Sequence, residues 1–115
     1  IDDAWPQLTL AGGYDHNWVL NTEFGKVQKF AQVEDEKAGR IMEVYTDLPG
    51  VQFYAGNFVI DEKGKNGHVY NKREGFCLET QVEPNAVNVE TFHSPVLEVG
   101  EKYQSFTAYK FGVRK

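Results

Sequence analysis

The chain has 115 residues, enough for one small domain with a single core. Its formal net charge of -5 argues against a nucleic-acid partner or an anionic membrane surface, because both need a basic face. With one cysteine, Cys77, no intrachain disulfide can form; no signal peptide, membrane-spanning run or Asn-x-Ser/Thr acceptor is present, a pattern that fits the cytoplasm.

The chain starts at Ile1 and its only Met is Met42, as expected of a processed product or a part of a larger protein. Ile1 to Leu10 reads as a polar lead-in that ends in a short strand, Leu8-Thr9-Leu10. Gly12 and Gly13 break it; they admit positive φ and let another group come close to the backbone. Tyr14-Asp15-His16-Asn17-Trp18 suits a polar ligand: Asp15 and Asn17 can bind hydroxyls, and Tyr14 or Trp18 can stack on a ring face. It reads equally as a loop of turn formers leading into a strand at Trp18-Val19-Leu20. Residues 26–34 read as a strand with Val27, Ala31 and Val33 on one parity and Lys29 interrupting them. A charged loop from Asp35 to Gly39 turns the chain into a second strand, Arg40 to Thr46. Ile41 and Tyr45 lie on one of its faces and Met42 and Val44 on the other, the pattern of a central strand. Pro49-Gly50 suits the centre of a type II turn, and Val51-Gln52-Phe53-Tyr54 follows as a strand with Gln52 opposite Phe53. Residues 57–70 are irregular, with a tight turn at Asn66-Gly67 and a solvated Lys63/Lys65 pair.

Gly75 to Gln81 is the stretch around which the chemistry is organised. Phe76, Cys77 and Leu78 predict a buried strand, with Cys77 a small core residue rather than a nucleophile. Glu79 is set into it. Among such neighbours a carboxylate loses hydration, and its pKa rises toward the range of a proton-transfer base. The plainer alternative is that Glu79 occupies the solvent face of the strand. Glu83 to Ala86 makes a turn, and the chain is irregular up to Pro95. His68 and His93 lack metal-ligand spacing and read as surface residues. Tyr103 to Val113 reads as a long last strand. No segment holds an apolar period of 3.6, and none is well capped as a helix. The fold class is therefore all-β, an antiparallel β-sandwich, and residues 1–115 read as one unit without an internal boundary.

There is no nucleophile elbow, phosphate loop or Cys/His metal set. Carboxylate acid/base chemistry or plain ligand binding remain, and Asp15, His16, Gln52 and Glu79 stand out. Two carboxylates, Asp15 and Glu79, raise glycoside hydrolysis. Opening a sugar ring demands less. One base takes the anomeric hydroxyl proton and one acid protonates the ring oxygen, with no metal or cofactor.

Gly13-Tyr14-Asp15-His16-Asn17-Trp18-Val19-Leu20, Glu43-Val44-Tyr45-Thr46, Pro49-Gly50-Val51-Gln52-Phe53-Tyr54 with Gly56-Asn57-Phe58, and Gly75-Phe76-Cys77-Leu78-Glu79-Thr80-Gln81 follow one another along the chain. Together they closely resemble the aldose 1-epimerase (galactose mutarotase) family, and Pro95-Val96-Leu97, Gly100-Glu101 and Tyr109-Lys110-Phe111 fit as well. The resemblance implies a galactose mutarotase-like supersandwich of which residues 1–115 are the C-terminal portion. It implies interconversion of the α and β anomers of free aldoses such as galactose and glucose. Glu79 falls on the catalytic base, Asp15 on an acidic residue that binds sugar hydroxyls, and Gln52 on a substrate-contacting glutamine. The family's general acid is a histidine upstream of the Gly-Tyr-Asp-His block, as is a second substrate-binding histidine; both fall outside this chain. His16 is not at the acid position. Asn71 and Arg73 stand where relatives often have Pro and His, in a loop not read as catalytic. The expected partners are a monosaccharide and the upstream part of the same protein, with no cofactor. By themselves these 115 residues are expected to be inactive or nearly so.

Two other readings stay open. One is a non-catalytic carbohydrate-binding module on the same fold, in which Asp15, Gln52 and an aromatic platform hold a sugar. The other is a sugar-phosphate 1-epimerase, for which Lys63, Lys65 and Arg73 are the clustered cations.

Overall fold

The computed structural model describes residues 5–114; the first four residues of the predicted lead-in lie outside the described residues. The all-β expectation holds: the described residues form mostly antiparallel strands in sheets, with one short helix. The elements are α1 (Pro6–Ala11), β1 (Asp15–Val19), β2 (Gln28–Asp35), β3 (Arg40–Thr46), β4 (Gly50–Tyr54), β5 (Glu62–Lys63), β6 (Val69–Tyr70), β7 (Cys77–Gln81) and β8 (Thr107–Val113). They make three sheets, ordered β1-β4-β7, β2-β3-β8 and β5-β6. Contacts divide the chain into two compact units, Ile1–Trp18 with Gln52–Glu79, and Val19–Val51 with Thr80–Lys115. No helix among the described residues is long and apolar enough to cross a membrane.

In the first unit, the strand expected at Leu8-Thr9-Leu10 is instead part of α1. Pro6 stands at the start of this helix, where its fixed φ is already helical and its missing N–H costs nothing. Gly12 ends it in the left-handed region (φ 71°, ψ 18°), and the Gly13 N–H donates to Leu8 O at 2.8 Å. Leu8 is the side chain that anchors this turn, with 2% of its surface exposed. The short β5-β6 ribbon closes through a 3-10 turn at Lys65–Gly67, with Asn66 and Gly67 both at positive φ, as the Asn-Gly pair predicts.

The second unit is built on β3, the predicted central strand, flanked by β2 and β8. Ala31 pairs with Val44 and Val33 with Met42, but Lys29 pairs with Tyr45, because a bulge between Lys29 and Ala31 shifts the register. One inserted residue moves Lys29 to the opposite face from Ala31, which is why it breaks the apolar parity in the sequence. Val44 and Thr46 are fully buried. β8 is shorter than the predicted strand from Tyr103. Its ladder ends at the Thr46–Thr107 pair, and the Phe106 backbone N–H donates instead to the Asp47 carboxylate at 2.8 Å. With β3 finished, residues 103–106 have no strand of this sheet to pair with. Gly50 is not the positive-φ corner of a type II turn; it is a buried residue that begins β4. His93 is not a plain surface residue either. It is half-buried, its Nδ1 lies 3.0 Å from Oε1 of the buried Glu83, and its ring packs 4.4 Å from that of Phe24.

Candidate functional site

Asp15 opens β1, Gln52 sits mid-strand in β4, and Glu79 lies in β7. The sheet order β1-β4-β7 therefore puts the three residues on adjacent strands with Gln52 in the middle. The Gln52 amide Nε2 donates to Asp15 Oδ1 at 2.7 Å. Both side chains are half-buried, and Glu79 is exposed.

Alternation along the strands assigns the faces. The Phe53 ring packs against Tyr14 at 5.4 Å and against Phe76 at 5.9 Å. Gln52 is one residue from Phe53, Asp15 one from Tyr14, and Glu79 three from Phe76, so all three project from the other face. Tyr54 and Cys77 share that polar face by the same alternation. They line a cavity of about 470 Å³ together with Val59, Glu62, Tyr70 and Glu74. Asp15, Gln52 and Glu79 are not in its wall, and Phe76 of the aromatic face is, so this concave space lies at the strand ends rather than over the three residues.

Two expectations about this stretch are corrected. Cys77 is exposed rather than a core residue, and Phe76 keeps much of its surface. Glu79 itself is exposed, the plainer of the two placements expected for it. Tyr14 and Trp18 cannot stack on a sugar that Asp15 holds, because both belong to the aromatic face, with their rings 6.5 Å apart. His16 joins them there, 6.3 Å from Tyr14 and 6.4 Å from Trp5.

Other nominated groups are placed as follows. Lys63 and Lys65 are exposed, and the charged residues of the cavity wall are Glu62 and Glu74. Arg73 is not in that wall; its Nη2 donates to Gly12 O at 3.3 Å. Among the described residues, no cluster of three or more His, Cys, Asp or Glu side chains is arranged to hold a metal ion.

Sequence reasoning gave no role to Asn57, the buried polar residue of the Gly56-Asn57-Phe58 block. Its Nδ2 donates to Tyr14 O at 2.7 Å, directly before Asp15. The signal was present in Gly12-Gly13, which predicted a close approach without naming the approaching group.

Residues 3–110 match the aldose 1-epimerase family profile. The chain is 52% identical over 103 residues to galactose mutarotase of Rattus norvegicus and 50% identical over 104 residues to that of Homo sapiens. It is 34% identical over 103 residues to aldose 1-epimerase of Escherichia coli. The match to the rat and human proteins covers 88% of this chain but 30% of theirs, and that to the bacterial protein 86% and 29%.

Proposed function

Because the chain belongs to the aldose 1-epimerase family, we propose that the full-length protein interconverts the α and β anomers of free aldoses such as galactose and glucose. Residues 1–115 form the C-terminal portion of one mutarotase-like domain in this reading. The observation that carries it is the hydrogen-bonded Gln52–Asp15 pair, on strands adjacent in the sheet that also holds Glu79. Asp15 and Gln52 hold sugar hydroxyls, and Glu79 is the base. Glu79 takes the proton of the anomeric hydroxyl while a histidine outside these 115 residues protonates the ring oxygen. The C1–O5 bond breaks, the aldehyde rotates about C1–C2, and attack by O5 on the other face returns both protons.

The sugar-phosphate reading has less support, since its nominated cations do not converge on the site: Lys63 and Lys65 are exposed, and Arg73 donates to Gly12 O. The binding-module reading cannot use Tyr14 or Trp18 as its aromatic platform, since both lie on the face opposite Asp15. Polarimetry on the full-length protein tests the proposal, starting from α-galactose. Glu79→Gln should lower kcat by roughly 10²- to 10⁴-fold, the usual contribution of a positioned base, while sugar binding is largely kept. Wild-type turnover in that variant would end the assignment of Glu79. The 115-residue chain alone has the base without its acid, and it should not accelerate mutarotation above the uncatalysed rate.

A further inference from the structure

We infer that Asn57 is the positioning residue of Asp15: its amide clamps the backbone from which the Asp15 carboxylate is aimed at Gln52. The inference rests on the sugar-binding reading of Asp15 only for its kinetic arm.

The clamp is built from several independent contacts within one unit. Asn57 has 5% of its surface exposed, and its Nδ2 donates to Tyr14 O at 2.7 Å. The same carbonyl accepts the Ala55 N–H at 3.0 Å, so the segment that follows β4 grips the residue before β1 through two donors. One residue earlier, Gly13 is at φ +131° and is buried. A methyl group there would collide with Oδ1 and Cγ of Asn57 and come within 3.0 Å of Arg73 Nη2. Glycine at 13 is therefore what admits the Asn57 side chain, for reasons of space as well as backbone conformation. Arg73 holds the residue before that, donating through Nη2 to Gly12 O, and its own N–H donates to Gly56 O at 3.3 Å. Three consecutive residues, Gly12, Gly13 and Tyr14, are thus fixed or crowded by side chains from the far end of the unit. Asp15 is the next residue.

The consequence is geometric. Asp15 is the first residue of its strand, where a chain end would otherwise swing. The 2.7 Å hydrogen bond from Gln52 requires the carboxylate to be held to within a few tenths of an ångström. A sugar hydroxyl recognised by that pair needs the same precision, and a misplacement of about 1 Å costs as much as 10²-fold. Asn57 touches no reacting atom in this scheme; it acts through Asp15.

The test uses the full-length protein. Asn57→Asp keeps the side-chain volume but sets an oxygen against the Tyr14 carbonyl. It should raise KM for galactose roughly ten- to hundredfold, with kcat near wild type, because a hydroxyl contact shared by ground and transition states is lost. Gly13→Ala, which displaces Asn57 from the opposite side, should do the same. Asp15→Asn should raise KM, and in a double-mutant cycle its effect should not add to that of Asn57→Asp. The Gln52 side-chain amide resonances, which need no sugar, should move in Asn57→Asp. Unchanged Gln52 resonances would overturn the inference. So would a loss of activity at unchanged KM in both variants, the mark of a smaller folded fraction. If the Gln52 resonances move but Asp15→Asn leaves KM unaltered, the clamp stands and the sugar-binding role of Asp15 falls.

Discussion

At Glu83 burial and hydrogen bonding pull in opposite directions. Burial pushes its carboxyl pKa up, but bonds from its own backbone N–H and from the ring and backbone of His93 outweigh this and hold it below the ordinary value. A depressed carboxylate lends stability above its unfolded value, near 4.5, and loses it as the pH falls through the folded value. His93→Ala leaves Glu83 buried without its ring partner and should cost about 1–3 kcal/mol in urea unfolding of the full-length protein near neutral pH. His93→Gln, which retains a donor, should recover part of that. The pair was not legible in the sequence. The two residues are ten apart with a turn at Ala86–Asn88 between them, and neither carries a local signal of contact.

At the scale of one element, β3 is stapled to both neighbours by Glu43. Its carboxylate accepts from Lys29 of β2 at 2.8 Å and from Lys110 of β8 at 2.9 Å. The two ammonium groups hold its pKa at about 2. The link it provides is complete above the unfolded value of 4.5 and fades as the pH falls toward about 2. Glu43→Gln should flatten the acid limb of a stability-against-pH curve over that interval, measured by denaturant midpoints of the full-length protein. The helix α1 depends on its cap in a different way. Gly12 has open space around its α-carbon, so Gly12→Ala meets no clash and should cost only the left-handed backbone penalty, about 1 kcal/mol. A cost several times larger would mean that the cap region is packed more tightly than the geometry indicates.

Across the whole chain, burial is thin. Among the described residues the buried apolar side chains are Leu8, Val44, Leu48, Val51, Ala55 and Ala86. Phe111 and Val113 of β8 are 74% and 69% exposed, and Ile60 and Phe58 are nearly as open. Apolar surface on this scale is what a protein normally covers. The chain spans about 30% of the length of the mammalian relatives it matches. The 115 residues alone should therefore bind a hydrophobic dye such as ANS and melt without a sharp calorimetric transition, whereas the full-length protein should do neither. Low dye binding by the isolated chain would show that these faces are covered by its own association.

What the sequence determined by itself was local or ordered along the chain. The β2–β3 hairpin and the central place of β3 follow from a two-residue period and a charged turn, which act over a few residues. The family followed from the order of its blocks. Asp15, Gln52 and Glu79 could be named, but not related to one another. Only the tertiary structure decided that Gln52 donates to Asp15, that Tyr14 and Trp18 face away from them, and that Asn57 fills the space left by Gly13. It also replaced a predicted strand by α1 and cut short β8, where Asp47 takes the backbone group that a longer strand would have paired. The reason is the same in each case: these outcomes depend on which groups meet across tens of residues, and a side chain carries no local mark of the partner that folding will bring to it.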